Sequence, residues 1–242
     1  MRDCMDLHTH TLMSGHAYNT INEMIAMAKK KDLDLLAITE HGPAMQGTAT
    51  DFYFDNIKIL PRDYDGMKVL FGIEANILDS NGRVDAWQRL LEQLDVVIAS
   101  LHTPCFGNYS KELNTKACIE AMKNPFVNIL GHPDDGRLPV DAKAIVEAAK
   151  EYKVLIEVNS SSLSPMSHRL NAKENYGEIL KYCKDLGVPV IVNSDAHADV
   201  YIKNHADAFA LLAEYNFPEE LVVNRSVDAV KEYLNYYRRQ NK

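Results

Sequence analysis

The chain has 242 residues, 46% of them hydrophobic and 25% charged, and a formal charge of −8 at pH 7. This is the composition of an ordinary globular protein of one large or two small domains, and its acidity excludes a general binder of nucleic acid or of anionic membrane. No apolar run approaches the roughly 20 residues that span a bilayer, and residues 1–20 hold no charged region followed by an apolar one, so a cytoplasmic protein without signal peptide is expected.

Short apolar runs alternate with amphipathic segments. The first strand is expected at Asp3–Leu7 and the first helix at Thr20–Lys30; Lys29, Lys30 and Lys31 at its end read as a solvated cationic cap on the helix dipole. A second strand is expected at Leu33–Ile38. The stretch Pro43–Asp65 is irregular, rich in aromatic and turn residues, and is expected to lie over a barrel mouth. Strands follow at Lys68–Ile73 and Asp95–Ser100, then a helix at Glu112–Lys123 and a strand at Phe126–Leu130. A helix at Asp141–Tyr152 has Asp141 as its cap, and a strand follows at Val154–Val158. The helix at Lys173–Leu186 is stopped by Gly187 before a strand at Pro189–Val192. A last helix is expected over Ser226–Tyr237, with Val227, Val230 and Leu234 at helical spacing.

Such alternation predicts parallel strands covered by helices, and the nearly continuous apolar runs suit strands buried on both faces. With no internal repeat, low-complexity segment or linker, one domain over residues 1–242 is expected. Cys4, Cys105, Cys118 and Cys183 form no C-x-x-C pair and read as reduced thiols; Cys105 alone lies near a motif described next.

The informative residues stand at the strand ends. The first strand runs into Leu7-His8-Thr9-His10, the second into Ile38-Thr39-Glu40-His41, the third into Gly72-Ile73-Glu74 and the fourth into Ser100-Leu101-His102. The fifth leads to Gly131-His132, the sixth to Glu157-Val158-Asn159-Ser160, and the seventh to Asn193-Ser194-Asp195-Ala196-His197. One histidine after a strand is usually a satisfied polar residue. Here six of nine histidines recur at the same boundary, the boundary that a parallel barrel gathers onto its catalytic face. His8 and His10, like Asp195 and His197, are two apart and in an extended chain point the same way. His16 is near enough in sequence to join them. Imidazoles and carboxylates without thiolates suit a catalytic Zn, Mn or Fe site.

At these residues the sequence resembles the PHP (polymerase and histidinol phosphatase) superfamily, and within it the YcdX-type branch of small stand-alone phosphatases. The resemblance covers nearly the whole chain and rests on Asp6-Leu7-His8-Thr9-His10, Ser14-Gly15-His16-Ala17-Tyr18, Ala37-Ile38-Thr39-Glu40-His41-Gly42-Pro43, Gly72-Ile73-Glu74-Ala75-Asn76, Gly131-His132-Pro133, Asn159-Ser160-Ser161 and Ser194-Asp195-Ala196-His197. It implies a distorted (β/α)7 barrel with three divalent metal ions, zinc first and Mn or Fe as alternatives. His8, His10, Glu74 and Asp195 would hold one ion; Glu74 would bridge to a second held by His102 and His132; His16, His41 and His197 would hold the third. The chain departs from the family in having Glu40 where Asp is common, and in the acidic Asp134-Asp135 after Gly131-His132-Pro133.

Three divalent ions against Glu74 and Asp195 would leave a site near +4, suited to a phosphate dianion rather than an amide. Hydrolysis of a small phosphomonoester by a metal-bound hydroxide, with Glu74 and Asp195 as the catalytic carboxylates, is therefore expected. Ser14, Arg62 and Arg137 are candidate phosphate contacts, His168 a candidate general acid, and Asp6 a candidate support for His8; His205 reads as a surface residue of a helix. The alternatives are a nuclease or phosphodiesterase acting on nucleic-acid ends, disfavoured by the missing basic stripe, and a non-catalytic metal-binding accessory protein. The sequence is silent on oligomeric state and expects no membrane partner.

Overall fold

The computed structural model describes residues 2–107 and 110–240. Its strands are β1 (Met5–Asp6), β2 (Leu35–His41), β3 (Asp63–Tyr64), β4 (Met67–Asn76), β5 (Val96–Ser100), β6 (Ile129–Leu130), β7 (Leu155–Asn159) and β8 (Val190–Asn193). All but β3 are parallel, in the order β1-β2-β4-β5-β6-β7-β8; β3 pairs antiparallel with the start of β4. The helices are α1 (Ile21–Lys30), α2 (Asp51–Asn56), α3 (Gln88–Gln93), α4 (Lys111–Met122), α5 (Ala142–Tyr152), α6 (Ala172–Leu186), α7 (Ala206–Glu214), α8 (Val227–Val230) and α9 (Asn235–Gln240). At least one of them lies between each pair of successive parallel strands, which is the expected distorted (β/α)7 barrel.

The pleat explains the continuous apolar runs. Leu35, Ala37, Leu70, Val96 and Ile98 point into the barrel with Met5, Leu7, Ile129, Leu155 and Ile191. Their alternates Leu36, Ile38, Val69, Phe71 and Val97 pack outward against the helices. Thr20 and Glu23 close a capping box on α1, Asp141 accepts from the Ala144 amide at 3.0 Å, and Gly187 ends α6 at φ 66°. Lys31 is not a solvated cap: its ammonium donates to the carbonyls of Val200 and Ile202 at 2.8 and 2.6 Å.

The distortion lies where the barrel closes. β1 and β8 are joined at the top by a single parallel bridge, Thr9 to Ala196. Below it, side-chain amides replace the missing ladder. The buried Asn224 accepts from the Val192 amide at 2.8 Å and donates to the carbonyls of Val192 and Met5 at 2.8 and 3.2 Å. Asn193 accepts from the Leu7 amide at 2.9 Å.

Two expected elements differ. The helix over Ser226–Tyr237 is broken between α8 and α9, because the barrel floor recruits its backbone: the Tyr233 carbonyl accepts from Asn128 and the Tyr236 amide donates to Asp95. Val230 and Leu234 still plug the lower end of the barrel. The segment 43–65 covers the mouth only at its start, where Thr48 donates to the His41 carbonyl at 2.6 Å. It then descends through α2 to β3 and the beginning of β4 at the opposite end. Among the described residues no helix is long and apolar enough to cross a membrane.

Candidate metal centre

All nine strand-end and loop residues singled out above meet at the upper end of the barrel, with Glu74 at the middle. Its Oε2 lies 3.3 Å from His8 Nε2, 3.6 Å from His10 Nε2 and 2.6 Å from His41 Nδ1. Its Oε1 lies 3.1 Å from His102 Nε2 and 2.8 Å from His132 Nε2. Asp195 Oδ1 stands opposite, 3.5 and 3.2 Å from the same nitrogens of His8 and His10. His16 completes the cluster, its Nε2 2.9 Å from His197 Nε2 and its ring 5.0 Å from that of His41.

A layer of partners fixes which nitrogen each ring presents. His8 Nδ1 donates to Glu157 at 2.8 Å, His102 Nδ1 to the Asn76 side chain at 2.7 Å, His16 Nδ1 to the Ser14 carbonyl and His197 Nδ1 to the Asp195 carbonyl, each at 3.0 Å. His10 Nδ1 donates at 2.9 Å to the Ser14 hydroxyl, which passes its own proton to Glu40 at 2.6 Å. Five imidazoles thus spend their Nδ1–H outward and turn a bare Nε2 inward, the arrangement by which supporting groups orient metal-binding histidines.

Those bare nitrogens fit divalent cations. With both Nδ1 atoms turned to carbonyls, His16 and His197 bring their Nε2 atoms within 2.9 Å of each other, a contact that a shared proton or a metal cation relieves. His8 Nε2, His10 Nε2, His41 Nδ1, Glu74 Oε2 and Asp195 Oδ1 are buried without any hydrogen-bond partner, a costly condition for so many polar atoms in one volume. The four separations linking His8 and His10 to Glu74 and Asp195 run from 3.2 to 3.6 Å. A tetrahedral ion with bonds of about 2.0–2.1 Å needs edges of about 3.3–3.4 Å.

Electrostatics divides the rings: burial opposes charge on His8, but Glu157, Glu74 and Asp195 outweigh it and hold its pKa well above the usual imidazole range, so a cation placed there would have to displace a proton. Burial, followed by the neighbouring His41 and His197, pushes the pKa of His10 well below the usual imidazole range, and burial followed by His197 and His41 lowers that of His16; both are neutral and ligand-competent. Burial works against the charged forms of Glu74 and Asp195, but surrounding imidazoles outweigh it and hold both carboxyls well below their ordinary values. Two of the nine residues have left-handed backbones, His132 at φ 27° and Asp195 at φ 54°. Such strain persists only where neighbours over-determine it. Glu157 accepts from the His132 amide at 2.8 Å, and Asp6 accepts from the Ser194 amide and hydroxyl at 3.1 and 2.5 Å.

Several expectations need correction. Ser14 is fully buried and bonded to His10, Glu40 and the His41 amide, so it supports ligands and does not face a phosphate. Arg62 is at the wrong end: its guanidinium binds Asp95 at 2.5 Å, just ahead of β5, and lies over Phe71. Asp6 supports the turn before Asp195 rather than His8. The acidic pair does not confront the mouth with bare charge, since Asp134 is buried and Asp135 is held by Arg137 at 2.6 Å. Cys105 is in none of the converging donor groups found among the described residues, and burial, then Asp85 and Glu74, push its thiol up to about 11. Arg137 and His168 do line the mouth. Glu40 keeps a supporting role, bonded to Thr11 and Ser14.

His205 is not on the surface. It is buried, 2.9 Å from Asp3 and 3.5 Å from Asp6. Burial opposes its charge, but Asp6 and Asp3 prevail and raise its pKa to about 9. A raised histidine stabilises the fold fully below its unfolded pKa, about 6.5, and that contribution disappears as pH climbs through 9. The stability gap between wild type and His205→Gln, from urea unfolding, should therefore shrink from pH 6 to pH 9.5 by up to about 3 kcal/mol. A gap that stays constant would contradict the buried ion pair.

Sequence reasoning places Glu157, Asn159 and Asn76 in strand-end motifs without giving them a role, and does not single out Arg169. Glu157 and Asn159 obey the same strand-end rule as the ligands, so that signal was present. Arg169 carries none: it reaches Asp195 at 3.3 Å and Ser162 at 2.8 Å from a loop.

A barrel that delivers seven imidazoles and two carboxylates to one face has the framework of a metal-dependent hydrolase. The PHP domain matches residues 6–168, and the chain belongs to the PHP domain family. It is 45% identical over 241 residues to a probable phosphatase of Caldanaerobacter subterraneus subsp. tengcongensis, covering 99% of this chain and 94% of that one. A probable phosphatase of Thermoanaerobacter sp. is 43% identical, with 99% and 98% covered. Among solved structures, histidinol phosphate phosphatase from Lactococcus lactis subsp. lactis, complexed with Zn, L-histidinol and phosphate, superposes with a TM-score of 0.62 at 19% identity, covering 89% of this chain and 95% of that one. Its relatives named probable phosphatases make the chain a hydrolase of phosphate esters, and its converging donors form a site that could hold metal ions.

Proposed function

We propose that the chain, as one domain over residues 1–242, is a phosphomonoesterase that works on a small phosphorylated substrate with three divalent ions. His8, His10, Glu74 and Asp195 would hold the first ion, Glu74 with His102 and His132 the second, and His16, His41 and His197 the third. Zinc is the first ion to test, given its presence with the Lactococcus lactis neighbour; Mn and Fe suit the same donors. One observation carries the reading: His8 Nε2, His10 Nε2, His41 Nδ1, Glu74 Oε2 and Asp195 Oδ1 converge in one buried volume with no hydrogen-bond partner.

When bound, the ions supply positive charge for phosphoryl oxygens and acidify a water. The protein does the rest. Glu157, Asn76, Ser14 and Glu40 hold the rings in register. Arg169 and Arg137 flank the mouth, a space of about 360 Å³, and can orient the ester, while His168 on the same wall is positioned to protonate the leaving oxygen. The test is release of phosphate from an aryl phosphate beside cleavage of a labelled single strand, on protein of measured metal content. Phosphate release without strand cleavage is expected. Strand cleavage alone would make the chain a nuclease, and neither activity with metal bound would make it an accessory protein.

A further inference from the structure

The alcohol half of a phosphate ester has to lie beside the metals, away from the phosphoryl group. A cavity of about 370 Å³ adjoins the mouth and shares Asp195, His197, Arg137, His168 and Arg169 with it. A hollow on another side, behind His132 and Pro133, holds only about 10 Å³, too little for any leaving group.

The walls of the larger cavity differ in kind. Met166 and Tyr201, 74% and 46% exposed, both line it and offer apolar surface of the kind an aromatic ring packs against. Serines 161, 164 and 167 with Asn204 give neutral polar contacts. Among the described residues the one carboxylate on this lining is Asp195, which faces His8 and His10 and is engaged by Arg169. An ammonium group entering here would lose its hydration beside two guanidinium groups whose carboxylate partners, Asp135 and Asp195, are already engaged, and would find no carboxylate of its own.

We propose that this cavity selects phosphate esters whose alcohol carries a ring and no positive charge, with Tyr201 as the ring contact and Arg137 as the charge filter. The inference rests on the phosphomonoesterase reading. Its test compares benzyl phosphate, the 4-aminomethyl derivative of benzyl phosphate, and propyl phosphate on the metal-loaded enzyme. The leaving alcohols are close in acidity, so differences report the cavity and not the scissile bond.

Benzyl phosphate should exceed each of the others by about tenfold in kcat/KM. Tyr201→Ala, on an exposed turn, should bring the benzyl-to-propyl ratio towards one. Arg137→Gln should narrow the gap between benzyl phosphate and its aminomethyl derivative. Equal kcat/KM for all three esters, or ratios unmoved by both substitutions, would overturn the inference while leaving the phosphomonoesterase reading intact. Hydrolysis of none of them by folded, metal-loaded protein would overturn that reading, and the inference with it.

Discussion

Glu74→Gln is expected to strip metal from the centre and lower phosphate release by about a thousandfold. The substitution keeps size and shape and changes two things. It removes one negative charge from a volume where five imidazoles lie within 3.6 Å of the carboxylate. It also converts one oxygen into an amide that points hydrogens at whatever the oxygen faced. Either oxygen serves a different set of rings, so no orientation of the amide spares both. Elemental analysis and phosphate release on the same preparation check this; full metal content with wild-type turnover would refute the role given to Glu74.

The second large effect is expected from a residue that need not touch metal at all. Glu157 is fully buried and accepts from His8 Nδ1, the His132 amide and the Asn193 side chain, each at 2.8 Å. It thereby sets the ring of one ligand and the left-handed backbone of another. Burial pushes its carboxyl up, but His8 outweighs this and the net pKa lies below the ordinary value. Glu157→Gln retains one acceptor oxygen and presents hydrogens at the other, so His8 or His132 loses its anchor. Metal affinity should fall by about 10–100-fold, with the far-ultraviolet spectrum unchanged. Competition against a chelator of known affinity measures it, and an unaltered affinity would show that Glu157 only fills space.

The convergence of these nine residues was legible in the sequence because a parallel barrel converts a one-dimensional regularity into a place. Residues that follow strands are brought to one rim whatever lies between them, so His8 and His197 announce a shared site. The closing geometry was less legible. Asn224 and Asn193 look like any other asparagines until the gap between β1 and β8 is seen. His205 is a second case: its partners Asp3 and Asp6 lie about two hundred positions earlier, and nothing local distinguishes it from a histidine in water. Arg62 failed for a related reason, since an arginine's long side chain carries no sign of which end of a barrel it serves. The broken helix over Ser226–Tyr237 kept its apolar spacing and lost its continuity, because tertiary acceptors outbid the helix for its backbone groups.

The seam filled by Asn224 also orders events during synthesis. His8 and His10 follow the first strand, yet the wall beside them is built from β8, the last strand, and sealed by Asn224 beyond it. A nascent chain can collect helices and six of its parallel strands with its first ligands still unsupported on one flank. A chain without the Asn224 side chain would therefore present the same histidines with one flank of their enclosure unsealed.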